Sequence, residues 1–299
     1  DLHSTSRRQR QMCIRDSNLR KNYGVKEVLK GLDLSLKNGQ VYTLLGKNGA
    51  GKTTFINILL RLIKEDSGSV VSNVSVKKEV GVVFQEDYFP KETTVSDLIK
   101  LQASFFHRKV DVDEELKKMG LEKEKFQKVG TLSGGQKRKL SFLLATLHDP
   151  KLLILDEPTA GMDYDSVEKF VQQIKKLKAK GKTILLITHD LYQIESFADY
   201  ILLLNEGVFE EKISVNDMFM ESLYEFPKEM VMSGAAKEQL FYRNDQTYVF
   251  SSPYAQNIIE QNGIRNPENF KRHKQVVDIF KRISFVEGCL LYTSDAADD

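Results

Sequence analysis

Gly46-Lys47-Asn48-Gly49-Ala50-Gly51-Lys52-Thr53 fits the pattern G-x-x-x-x-G-K-[ST], and no other stretch of the chain limits its fold so tightly. An apolar, β-favouring run (Val41–Leu45) precedes it, and a helix-like run (Thr54–Ile63) follows. Strand, glycine loop and helix are the context the pattern needs. The glycines let the backbone curl until successive N–H groups point inward, and the helix N-terminus adds partial positive charge. Such a loop is built to hold phosphate. Lys52 is expected to reach the β- and γ-phosphates, and the Thr53 hydroxyl to ligate Mg²⁺.

The 299 residues, 41% hydrophobic and 29% charged, suffice for one large domain, or one large and one small. A net charge of +2 is too near neutral to argue for nucleic acid or an anionic membrane surface. No apolar run approaches the roughly 20 residues of a membrane span, and nothing resembles a cleavable signal peptide. The expected location is the cytosol, where ATP and Mg²⁺ are available.

The two ends share a curious relationship. Arg7 to Ser17 can be encoded by a DNA whose reverse complement, read in another frame, gives Cys289 to Asp298. One DNA segment in two orientations therefore flanks the gene, as a translated sequencing adapter would. Residues 1–17 and 289–299 are expected to be non-native tails. Both cysteines, Cys13 and Cys289, lie in them, which leaves no disulfide or thiolate-metal chemistry to expect between.

From Asn18 the reading runs in order. Asn18–Tyr23 reads as the end of a strand whose start is expected to be missing, and Val28–Leu36 as an antiparallel strand with Leu32, Leu34 and Leu36 alternating. Asn38-Gly39 reads as a tight hairpin turn into the strand before the glycine loop. Residues 64–79 read as loops and short strands, and Val80–Phe84 as a buried strand ending at Gln85. Residues 95–106 and 111–119 have helical spacing. Leu132-Ser133-Gly134-Gly135-Gln136 opens a long helix whose early Lys137, Arg138 and Lys139 oppose its dipole. Lys151–Leu155 is an apolar strand ending in Asp156-Glu157-Pro158. Asp163–Lys180 is an amphipathic helix, Thr183–Thr188 a buried strand reaching His189-Asp190, and 200–213 a hairpin about Glu206-Gly207.

This alternation predicts a mainly parallel sheet with helices on both faces. Gly46, Gln85, Asp156 and His189 all follow strand ends, so four chemically apt groups fall on one edge. From about Asn216 the character changes. Residues 224–288 suggest a small α/β appendage, with a hairpin about Arg243-Asn244-Asp245, a strand Tyr248–Ser251 and helices near 254–262 and 274–283.

The phosphate loop, Gln85, LSGGQ at 132–136, and ILDEP at 154–158 with His189 resemble, in order and spacing, the ATP-binding cassette (ABC) ATPases. The resemblance spans about residues 18–215. It implies a P-loop NTPase core with an antiparallel β subdomain and a helical subdomain near 90–147, and leaves 216–288 as an accessory region. It implies that Tyr23 stacks on adenine and that Gly46, Lys47, Asn48, Gly49, Ala50, Gly51, Lys52, Thr53 and Thr54 hold the nucleotide. Ser133, Gly134, Gly135 and Gln136 would close over the γ-phosphate of a second cassette. Thr53, Gln85 and Asp156 would serve Mg²⁺. Glu157 would be the general base, helped by His189, Gln85 and Lys52, and Gly161-Met162-Asp163 would touch the opposite subunit.

One phosphate loop and one LSGGQ call for a second cassette, either a copy of this chain or a paralogue. The implied role is the ATPase of a transporter, peripheral on the inner face of the membrane through a separate polytopic permease. The short bacterial exporter type is the nearer likeness, and Val277-Asp278-Ile279-Phe280 loosely resembles the end of such exporter ATPases. A soluble ABC ATPase acting on ribosomes or DNA is the alternative. Against it stand the single cassette, the absence of heptads between Gln85 and Ser133, and the near-neutral charge, so no direct nucleic-acid partner is expected.

Overall fold

The computed structural model describes residues 12–230, 241–243, 246–261, 264, 266–275 and 278–279. The chain divides into two compact units, Asp1–Lys212 and Ile213–Asp299. The first holds two sheets. Strands β1 (Met12–Tyr23), β2 (Lys26–Lys37) and β4 (Ser67–Ser72) form an antiparallel sheet in the order β2-β1-β4. Strands β3 (Val41–Leu45), β5 (Val80–Val83), β6 (Leu152–Asp156), β7 (Thr183–Ile187), β8 (Tyr200–Asn205) and β9 (Val208–Ser214) form a second, in the order β5-β6-β7-β3-β8-β9. Every pairing from β5 through β8 is parallel.

The parallel strands read as continuous apolar runs because both their faces are covered. Successive side chains go to opposite sides. Leu153, Leu155, Ile184 and Leu186 enter one core, with helices α2 (Val95–Phe105), α3 (Val112–Met119), α4 (Gly134–Thr146) and α5 (Tyr164–Ala179). Leu152, Ile154, Leu185 and Ile187 enter the other, with α1 (Lys52–Leu59) and leucines of the antiparallel sheet. Helix α6 (Leu191–Phe197) follows β7. Between β8 and β9, Glu206 (φ 43°) and Gly207 (φ 83°) are both left-handed, as a two-residue type I′ turn requires.

Two sequence expectations change here. Asn38-Gly39 turns sharply, with Gly39 at φ 74°, but it makes no hairpin. β2 pairs only with β1, while β3 lies in the parallel sheet, so the turn carries the chain between sheets. Local turn chemistry cannot tell those cases apart. Residues 67–72, within the stretch read as loops and short strands, pair with β1, and Gly68 (φ 89°) packs where a side chain would strike the Asn18 and Ser17 carbonyls. The strand containing Asn18–Tyr23 also starts earlier, at Met12.

The second unit opens with α7 (Val215–Met220). Its antiparallel sheet orders β11 (Tyr242–Arg243), β12 (Thr247–Ser251), β10 (Ser222–Pro227) and β13 (Lys271–His273) as β11-β12-β10-β13. Helix α8 (Ser252–Gln261) contributes Ala255 and Ile258 to a small core with Phe226, Tyr248 and Phe250. Asn244 and Asp245 of the expected hairpin, most of the expected helix at 274–283, Val277 and Phe280, and the tail 289–299 lie outside the described residues.

Candidate functional site at the carboxyl edge of the parallel sheet

The glycine loop joins β3 to α1 as its pattern requires. Gly46 ends the strand where a Cβ would run into the Leu204 carbonyl, and Gly49 (φ 85°) and Gly51 (φ 105°) supply left-handed turns. Among the described residues, the other helices of eight or more residues in the first unit are capped at their N-termini by a side chain: Thr94, Asp111, Ser133 or Asp163. The N-cap of α1 is Gly51, with no side-chain cap and no acid in the first turn. Its leading N–H groups are thus left for an anion. Lys52 Nζ meanwhile donates to the carbonyls of Gly46 and Lys47, the latter at 2.8 Å, and so is held over the loop.

A cleft of about 430 Å³ opens beside the loop. Lys47, Asn48, Gly49, Gly51, Lys52, Thr53 and Thr54 line it on one side; Gln85, Asp156, Glu157 and His189 face them from the ends of β5, β6 and β7. Tyr23 is half-exposed at its margin, with Lys21 Nζ 5.8 Å from its ring centroid. Gly46 and Ala50 shape the loop from beneath and are buried.

The charges in the cleft influence one another. Burial, and then the neighbouring Asp156, hold the Glu157 carboxyl above its usual range, against the pull of Lys52, Arg138 and the His189 N–H. Burial likewise raises Asp156, opposed by Lys52 and Arg138. Burial lowers Lys52, and the two carboxylates counteract it. Burial and then the Lys52 charge lower His189 below its ordinary value, and its Nε2 lies 3.7 Å from Glu157 Oε1. Glu157 also has a left-handed backbone (φ 44°), costly for a non-glycine residue, and its N–H donates to the Ile187 carbonyl at 2.9 Å.

Ser133, Gly134, Gly135 and Gln136 do not line this cleft. They start α4 with a capping box: Gln136 N donates to Ser133 Oγ at 3.2 Å, and Ser133 N donates to Gln136 Oε1 at 2.9 Å. The Gln136 amide also donates to Glu124 at 2.9 Å, so this side chain is engaged within its own chain. A Cβ on Gly135 would come within 2.7 Å of the Gly161 carbonyl, whereas one on Gly134 would meet nothing. Asp163 caps α5, accepting from both Ser166 N and Ser166 Oγ at 2.8 Å.

Arg138 is the residue the sequence reading missed. Its place early in α4 set it against the dipole unless an anion lay at the helix N-terminus, and no internal partner was foreseen, yet it is 3% exposed. It donates to the carbonyls of Phe84, Gln85 (2.7 Å), Asp156 (3.3 Å) and Glu157 (3.1 Å), and to Asp87 (3.3 Å). Its one sequence signal was an arginine where the helix dipole disfavours it.

The chain is similar to known proteins in sequence and in fold. The ABC transporter family matches residues 29–160. The Nod factor export ATP-binding protein I of Burkholderia orbicola is 37% identical over 203 residues, covering 64% of this chain and 67% of that protein. The bacitracin transport ATP-binding protein BcrA of Bacillus licheniformis is 34% identical over 211 residues, 67% of this chain and 69% of that protein. A dimeric, post-hydrolysis structure of the ATP-binding cassette MJ0796 bound to ADP and Pi superposes with a TM-score of 0.61 at 26% identity, covering 67% of this chain and 98% of that one.

Proposed function

This chain belongs to the ABC transporter ATP-binding family and is an ATPase, and from that premise we propose that it powers export through a separate membrane permease. The observation that carries the reading is the convergence of the uncapped phosphate loop with Gln85, Asp156, Glu157 and His189 on one cleft. Residues 18–215 would be the cassette, with its helical part near 90–147, and 216–288 an accessory region.

Each residue has work it can do there. The N–H groups of Gly46–Thr54 and the Lys52 ammonium would bind phosphate oxygens, with Lys52 exchanging its carbonyl partners for them. Tyr23 would stack on the base. Thr53, Asp156 and Gln85 offer hard oxygen donors that fit Mg²⁺. Mg²⁺ bound there would neutralise charge on the transferring phosphoryl group. Glu157, with its raised proton affinity, would take a proton from the attacking water, and His189 would donate a hydrogen bond toward the γ-phosphate.

Ser133, Gly134 and Gly135 do not line this cleft, which leaves them available for a role toward a second cassette, a copy or a paralogue. Among the described residues no helix is long and apolar enough to cross a membrane. The transport named in the relatives supports pairing with a separate permease, which would hold the chain at the inner membrane face. The word export in the name of the Nod factor relative favours that direction.

Glu157→Gln tests the assignment. It should bind ATP normally and turn over at least ~100-fold more slowly, since a general base contributes about 10²–10⁴-fold. Near-normal hydrolysis would remove Glu157 from the role. The same variant, loaded with ATP and Mg²⁺ and used to capture partners from membranes, should recover a polytopic membrane protein; ribosomes or DNA-bound proteins in its place would overturn the transport reading.

A further inference from the structure

The parallel ladder between β5 and β6 ends at Val83 and Leu155. Beyond it lie Phe84-Gln85 on one strand end and Asp156-Glu157 on the other, the two segments that carry the reacting groups. Their carbonyls converge on a single buried guanidinium. Nε of Arg138 donates to the Glu157 carbonyl, Nη1 to Phe84 and Asp87, and Nη2 to Gln85 and Asp156. A guanidinium has five N–H groups in a planar fork, and five acceptors are engaged here, so the fork is fully used.

We infer that Arg138 is a positioning residue for hydrolysis: it holds the backbones of Gln85 and Glu157 in fixed relation to each other and to the helix that begins at Ser133. The inference rests on the roles proposed above for Gln85 and Glu157. Three features of the structure support it. First, Arg138 fastens the Glu157 carbonyl while Ile187 fastens its N–H, so both sides of a left-handed residue are secured. That conformation aims the carboxylate. Second, Arg138 lies on α4, whose capped first residues, Ser133 to Gln136, are the ones proposed above to meet a second cassette. An α-helix is stiff over its few turns, so displacement of its N-terminus by a ligand would pull on the strand-end carbonyls. Third, four of the five acceptors are main-chain carbonyls, which carry no formal charge to attract a cation. What the site rewards is the shape of the fork.

Lysine keeps the charge but offers only three donors around a point, and cannot span both segments. The test compares full-length wild type, Arg138→Lys and Asp87→Asn by steady-state ATP hydrolysis, binding of a fluorescent ATP analogue, and thermal unfolding. R138K should stay folded and bind the analogue within about 3-fold of wild type. Its kcat should fall at least ~10-fold, because a misplacement of about 1 Å can cost ~10²-fold. D87N, which removes the ion pair and leaves the carbonyl fork, should keep kcat within about 3-fold of wild type. The inference fails if R138K turns over like wild type, if its affinity falls in step with kcat, if it cannot be obtained folded, or if D87N loses as much as R138K. Absence of hydrolysis by the folded wild-type chain would instead strike the roles of Glu157 and Gln85, and this inference with them.

Discussion

Glu157 and Asp16 are both carboxylates in poorly solvated surroundings, and they make opposite use of it. At Glu157, burial and the adjacent Asp156 raise proton affinity, while Lys52 and the His189 N–H keep the anion accessible. Single-turnover hydrolysis should therefore rise with pH through an inflection above the ordinary glutamate value of about 4.3; a profile flat from pH 5 to 8 that drops only below 4.3 would contradict this. Lys52→Ala removes charged hydrogen bonds worth about 1.5–3 kcal/mol each, so ATP affinity should fall at least ~10-fold by equilibrium binding. Asp16 serves no site that we find. It is 2% exposed on β1, opposite Leu34 and Val70, with neither carboxylate oxygen hydrogen-bonded. Burial, and then Asp33, push it from 3.8 to about 7. A folded-state value above the unfolded one means the cost is absent below pH ~4 and complete above pH ~7, amounting to roughly 4 kcal/mol. Asp16→Val should therefore raise the unfolding temperature by several degrees at pH 8 and by much less at pH 5; an equal gain at both would refute the account. Asp16 falls in the stretch expected to come from adapter DNA, which would explain a carboxylate at an apolar position.

At the scale of elements, the two glycine-containing helix starts are built differently. α1 begins on a bare glycine and leaves its N–H groups open. α4 begins on a Ser133–Gln136 capping box that satisfies part of its own terminus and secures it, a cap of this kind contributing roughly 1 kcal/mol. Gly135 is needed by its own chain, because Gly161 leaves no room for a side chain. Gly134 faces open space, so its own chain would accept a side chain there. Gly134→Asp sharpens the point, since an acid in the first turn suits the helix dipole by about 0.3–1 kcal/mol yet would repel an incoming phosphate. The unfolding temperature should hold or rise while hydrolysis is lost. If both hold, α4 does not receive an anion.

For the whole molecule, the phosphate cleft and the start of α4 are separate surfaces of one unit. On the proposed reading, the start of α4 would complete the site of a second cassette. Glu157→Gln with ATP and Mg²⁺ should double in mass by light scattering, wild-type protein with ADP should not, and adding Gly134→Asp to the Glu157→Gln chain should abolish the doubling. A Glu157→Gln chain that stays monomeric at saturating ATP would rule out a second copy of this chain as the partner.

The phosphate loop, the strand-end carboxylates, His189 and the parallel sheet were all legible in the sequence, because each is written in adjacent residues. A glycine pattern dictates its own backbone, and an apolar run dictates burial on both faces. What stayed hidden depends on residues far apart in the chain. Asn38-Gly39 has the chemistry of a hairpin, and only the separation of β2 and β3 into different sheets shows that it is not one. Arg138 looked misplaced in its helix, because its acceptors at 84–87 and 156–157 come within reach only when β5, β6 and α4 pack together. Local pattern fixes elements and nominates reacting groups; the long-range packing decides which backbone atoms a buried charge will find.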